Sequence, residues 1–323
     1  MAELVNRRTM IGIGGAVAAT AMLNATPATA AEDSPDRRVR WVYGSQSRRA
    51  GGTWNSYLTV AGETAIEDKA DELVEAYSVN KVAVATAVLD KVDRGLLKLD
   101  QRLEVTDEIV IHDDDGIFGL DGAYPSSVTI GHALAMLLTV SDNTSVRLCG
   151  LVCPSAEINE ILAAKGFPKT QVKPVANPNR FYLGKTTPRE MHDLLKALVG
   201  GTLLSAASTA YLLKILRSPV AFTDGIRRTM SSAERARVAT KAGWFADGRN
   251  EAGIMFDAAG KPVLIYSIFA HGQADADNFG ATHPALEARA VMGRAFFDAV
   301  QRLSPPSTAR AFTTPEYRPS NGG

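Results

Sequence analysis

The chain predicts a mixed α/β (α+β) fold of two lobes, an antiparallel sheet flanked by terminal helices with an all-helical lobe inserted between its strands. Three observations carry this. A hairpin pattern lies at residues 53–68. A block of helical segments fills residues 79–220. A three-strand meander then runs through residues 238–270 and is closed by one long amphipathic helix. A cleft between the two lobes is the natural place for a ligand.

The elements follow in order. Arg37 to Tyr43 mixes charged and aromatic residues and reads as a short helix, broken by Gly51-Gly52. Thr53 to Val60 is strand-like, Ala61-Gly62-Glu63 is a turn, and Thr64 to Asp68 completes the hairpin. Val82, Ala85, Val88, Leu89 and Val92 recur at helical spacing, giving a buried helix that runs to about Arg94 and stops at Gly95. Residues 128–140 are helical, with Thr129 as N-cap. Residues 144–152 and 154–166 continue the helical block. Residues 167–184 hold Pro168, Pro174 and Pro178 with little periodicity and read as a loop. Thr187-Pro188-Arg189-Glu190 is a helix start in which Glu190 can return to the cap. A further helix runs from about Ser208 to Arg217. Residues 238–245, 250–257 and 262–270 are strands, and residues 283–303 are the closing helix.

The ends read differently from the middle. Arg7-Arg8 precedes an apolar run from Ile11 to about Leu23, too short to span a membrane, and Ala28-Thr29-Ala30 offers a small-residue cleavage site. Residues 1–31 are therefore expected to be a twin-arginine-type export signal, leaving a secreted or extracytoplasmic domain over residues 32–303 with no stable membrane span once the signal is removed. Residues 304–323 are rich in proline and glycine and are expected to be a disordered tail.

Composition narrows the function. Lys plus Arg and Asp plus Glu number 35 each, so there is no basic field and no nucleic-acid partner is expected. The two cysteines, Cys149 and Cys153, and the five histidines lack metal-ligand spacing; no metal and no cofactor is expected. The cysteine pair reads as two buried thiols or as a strained local disulfide. The acidic turn His112 to Gly116 reads as solvated rather than cation-binding.

The chemistry centres on Tyr77-Ser78-Val79-Asn80-Lys81. Ser78 and Lys81 are three apart and share one helix face. A serine hydroxyl is a poor nucleophile until a neighbour takes its proton. A lysine partly desolvated or close to other cations has a lowered pKa and can do so. The helix mouth adds unpaired N–H groups that favour negative charge. Ser141-Asp142-Asn143 stands at a polar break between helical runs, and Lys241-Ala242-Gly243 on a predicted strand.

Ser-x-x-Lys, Ser-Asp-Asn and Lys-x-Gly in this order form the signature of class A β-lactamases and penicillin-binding proteins. From about Thr53 to Ala299 the chain resembles the serine β-lactamase and D-Ala-D-Ala-peptidase-like family. That resemblance implies roles. Ser78 is acylated, Lys81 accepts or relays its proton, and Ser141 passes a proton to the leaving nitrogen in the field of Lys241. Asn143 bonds a substrate amide, the N–H groups of Ser78 and Trp244 form an oxyanion hole, and the 241–243 strand, with Gly243, runs along the substrate. The partner it implies is a small-molecule or peptide-like acyl substrate.

Two departures stand out. The family's Thr or Ser at position 242 is Ala242, which leaves a substrate carboxylate to Lys241 and Arg249. The family's deacylating glutamate is missing: residues 165–185 contain no Asp or Glu, and Asn177, Asn179 and Arg180 occupy the loop. A general base contributes about 10²–10⁴-fold. Efficient β-lactam turnover therefore stands beside two alternatives, a peptidase or transacylase with a peptide-like substrate, and a slow-turnover binding protein.

Overall fold

The computed structural model describes residues 35–112 and 116–304. The export signal, the acidic turn at Asp113–Asp115 and the tail from residue 305 lie outside the described residues.

Helix α1 (Pro35–Ala50) leads into β1 (Thr53–Val60) and β2 (Glu63–Asp68), then a two-residue strand β3 (Val74–Glu75) and a tight 3₁₀ turn, Tyr77–Asn80. The inserted lobe follows: α2 (Lys81–Asp93), β4 (Arg102–Val105), α3 (Phe118–Asp121), β5 (Ser126–Thr129), α4 (Ile130–Thr139), α5 (Thr144–Val152) and α6 (Ser155–Ala164). It continues with β6 (Gln171–Pro174), β7 (Phe181–Thr186), α7 (Pro188–Val199) and α8 (Ala206–Leu216). The short α9 (Ser232–Arg235) precedes β8 (Val238–Phe245), β9 (Gly248–Phe256), β10 (Pro262–His271) and the closing α10 (Pro284–Leu303).

The main sheet is antiparallel throughout, in the order β2-β1-β10-β9-β8. The hairpin and the meander are distant in sequence, yet β1 pairs β10 from Thr53 opposite His271 to Val60 opposite Leu264. Period-2 alternation splits the meander between two cores. Met255, Leu264, Tyr266 and Ile268 join Val39, Val42, Phe296 and Phe297 under α1 and α10. Ala239, Ala252, Ile254, Phe256, Ile265 and Phe269 join the helical lobe. Burying side chains of this size contributes roughly 1.5–3 kcal/mol each.

Helix α2 is the axis of the lobe. Residues 81–89 are all buried and apolar apart from Lys81 and Thr86, a pattern that belongs to a helix with neighbours on every side.

Three expectations need correction. Helix α1 is not short; it spans 16 residues and packs along α10. The inserted lobe is not all helical: β4 pairs β5, and β6 and β7, largely in residues expected to be loop, join β3 in a three-stranded sheet. The strands there are too short to show a period, and contacts from outside hold them. Asn80 Nδ2 donates to the carbonyls of Leu183 at 2.7 Å and Lys185 at 3.1 Å. Third, Thr187 does cap α7, accepting from Glu190 N at 3.1 Å, but Glu190 does not return to the cap. Its carboxylate accepts from Lys169 N and Thr170 Oγ1.

Candidate active site

Ser78 lies in the 3₁₀ turn that opens α2, half-buried. Tyr77 before it has φ +49°, a left-handed conformation that a non-glycine residue holds only against strain. Neighbours fix the turn from three sides. Asn250 Nδ2 donates to Glu75 O at 2.9 Å, Ala76 N donates to Gly184 O at 2.9 Å, and Asn80 ties the far side to β7. The Tyr77 ring covers the β8–β9 turn so closely that a Cβ at Gly248 would sit 2.2 Å from Tyr77 Cε2.

Ser141 follows α4, also left-handed at φ +62°. Its hydroxyl lies between two lysine nitrogens, 3.2 Å from Lys81 Nζ and 3.0 Å from Lys241 Nζ. Lys81 Nζ also donates to Asn143 Oδ1 at 2.6 Å and to the Ser141 carbonyl. Lys81 is wholly buried and Lys241 is 3% exposed. Burial, and next the Lys81 cation, push Lys241 well below the ordinary lysine value, while Glu251 acts the other way. Asp142 organises the turn: its carboxylate accepts from Ser145 N at 2.8 Å, Ile117 N at 2.7 Å and Phe118 N at 3.1 Å. It is fully engaged as a helix-positioning group.

Strand β8 is the free edge of the sheet, and it abuts the Ser78 turn. A Cβ on Gly243 would lie 2.6 Å from Ser78 N and 2.7 Å from Val79 N, so only glycine permits this approach. Lys241 and Gly243 face the helical lobe. Thr240 and Ala242 face α10, where Thr240 Oγ1 donates to the buried Glu251 at 2.7 Å. Ala242 is wholly buried and offers its carbonyl, which accepts from Lys241 Nζ at 2.6 Å. Trp244 is half-buried and stacks against Phe222, ring centres 5.5 Å apart.

Four of the anticipated residues, Lys81, Ser141, Asn143 and Lys241, thus form one hydrogen-bonded cluster, with Ser78 one helical turn from Lys81 and Gly243 against its backbone. A family model described as the β-lactamase enzyme family matches residues 37–300. The chain belongs to the β-lactamase enzyme family. Solved structures of similar fold include a β-lactamase from Xanthomonas campestris, at TM-score 0.70 and 21% identity over 83% of this chain and 99% of that one. Another is a β-lactamase from Chitinophaga pinensis, at TM-score 0.68 and 23% identity over 82% and 98%. The acyl-enzyme complex of a PBP-A mutant with penicillin G also matches, at TM-score 0.66 and 18% identity over 82% and 96%. Among curated proteins no match was found.

Three places depart from or add to what the sequence leads us to expect. Arg249 is not open to a ligand: it is 1% exposed, and its guanidinium donates to the carbonyls of Ala246, Gly248, Ala276 and Asn278 at 2.6–2.9 Å. The loop at residues 177–180, where the resemblance leads us to look for a glutamate, is tied into its own turn. Asn177 Oδ1 accepts from Asn179 N, Asn177 O accepts from Arg180 N, and Pro178 O accepts from Ser155. Third, Asn80 and Asn250, unremarked in the sequence, hold the nucleophile's turn. Their signal was available, since a polar side chain inside Val79-Asn80-Lys81 or inside a strand needs a buried partner.

Cys149 and Cys153 are free and buried, and burial pushes both thiols up to about 12. Among the described residues, no group of three or more His, Cys, Asp or Glu is arranged to hold a metal, and no helix is long and apolar enough to cross a membrane.

Proposed function

We propose that the protein is a serine hydrolase that works through a Ser78 acyl-enzyme on amide or ester bonds, with slow release to water. The observation that carries this is the Ser141 hydroxyl bridging Lys81 and Lys241 beside the Ser78 turn. Ser78 Oγ forms a bond to the acyl carbon, and its proton passes to Lys81 in its neutral amine form, which becomes the ammonium. The bond to the leaving nitrogen or oxygen breaks, and Ser141 delivers a proton to it, replenished from Lys81. The N–H groups of Ser78 and Trp244 take the oxyanion. Removing one donor of such a pair costs roughly 3–4 kcal/mol in other acyl-transfer enzymes. Asn143 holds a substrate amide, and β8 supplies a free edge for an extended substrate.

The segment 165–185 has no carboxylate, and Asp142 is committed to three backbone N–H groups, so neither activates water. Slow water attack favours a long-lived adduct or transfer to another acceptor. Incubation with benzylpenicillin followed by intact-mass spectrometry tests this. A persistent adduct on Ser78, lost in Ser78→Ala, is expected. An adduct that survives in that variant removes Ser78 as the nucleophile. Export through residues 1–31 belongs to the same reading. A reporter fused after Ala31 should leave the cytoplasm, and should stop doing so when Arg7 and Arg8 are replaced by Lys.

A further inference from the structure

We infer that the acyl donor is uncharged near its scissile bond and carries an aromatic or similarly flat apolar group. This rests on Ser78 being the acylated residue.

The cations around the strand are already engaged. Lys81 serves Ser141 and Asn143, and Lys241 gives two of its protons to Ser141 Oγ and Ala242 O. Arg249 is buried, with both of its terminal nitrogens committed to four carbonyls. Arg227 donates twice to Ser218 O, and Arg289 is buried 3.6 Å from Glu251 on the α10 side. Past Lys241 the edge strand reads Ala242, Gly243, Trp244, Phe245, without a hydroxyl or a charge. Carboxylates stand on the same bank. Glu75 and Asp247 line a cavity of about 320 Å³ beside Tyr77, where Lys185 lies 3.8 Å from Glu75. A substrate carboxylate would lose its hydration here without gaining a dedicated partner.

The rim is aromatic instead. Alternation puts Trp244 with Phe222 on one side of β8 and Phe245 with Tyr77 on the other, ring centres 5.5 and 6.1 Å apart. Phe245 is 69% exposed. On the helical lobe Ile117 is also exposed, and it is pinned beside the Ser141 turn by its bond to Asp142. Exposed apolar residues gathered about one cleft mark a binding surface. A larger cavity, about 600 Å³, lies away from the chemistry, lined by Gln46, Arg49, Arg228 and Glu287.

The test uses matched probes on the full chain. Benzylpenicillin and its methyl ester differ by one negative charge, as do mono-p-nitrophenyl succinate and its methyl ester, while p-nitrophenyl phenylacetate and p-nitrophenyl acetate differ by the phenyl group. Acylation of Ser78 is followed by intact mass and p-nitrophenol release. The uncharged member of the penicillin and succinate pairs should react at least about tenfold faster. Phe245→Ala should lower the rate with p-nitrophenyl phenylacetate more than that with p-nitrophenyl acetate; an equal fall with both would overturn the aromatic part of the inference. Equal or faster reaction of the charged members overturns the inference while leaving Ser78 as nucleophile. A fluorophosphonate that fails to label Ser78 overturns the reading beneath it instead. If neither penicillin reacts, the succinate pair decides.

Discussion

Replacing Gly243 by Ala puts one methyl group where the edge strand meets the nucleophile's turn. The added Cβ would lie 2.6 Å from Ser78 N, 2.7 Å from Val79 N and 3.1 Å from Ala76 O. All three are backbone atoms, so no side chain can swing aside. Heavy atoms need roughly 3.5 Å, so the strand and the turn must part by about 1 Å. Forced expansion of this kind destabilises by about 1–3 kcal/mol. The chemistry suffers separately: a misplacement of about 1 Å costs on the order of 10²-fold in rate, or about 2.7 kcal/mol. The assay is the second-order rate of Ser78 labelling by a fluorophosphonate, measured well below the melting temperature of both proteins. The expected result is a folded variant that labels about a hundredfold more slowly. A variant that labels at the wild-type rate would refute the claim that contact between β8 and the turn sets the site.

Other outcomes follow from the same geometry. Lys241 has a lowered folded-state pKa, so the unfolded chain binds more protons between that value and the ordinary lysine value, and its contribution to stability rises with pH across that window. Lys241→Met should flatten the rise in unfolding free energy there, as read by urea titration at several pH values; an unchanged slope would contradict it. Glu251→Gln removes the carboxylate facing Thr240, Ile226 N and Arg289, and should cost about 3–5 kcal/mol in urea unfolding because the buried arginine loses its counter-charge. A loss below about 1 kcal/mol would be inconsistent with that charge balance. Arg249→Lys should loosen residues 246–248 and 272–279, seen as faster amide exchange, since one ammonium cannot span four carbonyls. Unchanged exchange there with weakened substrate binding would instead return Arg249 to the ligand.

Much of the fold was readable from local pattern. The runs Val238–Phe245 and Val263–Phe269 are β-rich and bounded by turn residues, and β1 and β8 begin and end where the pattern says. The spacing of Ser78 and Lys81 needed only helical geometry. What escaped is what distant groups decide. Strands β6 and β7 are short and lie either side of a proline-bearing turn, and Asn80, about a hundred residues earlier, donates to the β7 carbonyls of Leu183 and Lys185. Glu190 has a capping partner in reach and leaves it for two donors at Lys169 and Thr170. Arg249 stands where a ligand contact was expected, and the loop carbonyls that claim it are 27 and 29 residues away. In each case the competing partner is set by tertiary structure, which local sequence does not encode.

Tyr77 and Ser141 share one more property. Both occupy backbone conformations that glycine would take without complaint, and a residue held there costs about 1–3 kcal/mol. A chain with glycine at 141 would be the sturdier object and an inert one, because the bridging hydroxyl would be gone. That tension is carried by the chain's own backbone, so the stability of the fold and the placement of the bridging hydroxyl are set against each other at the same residue.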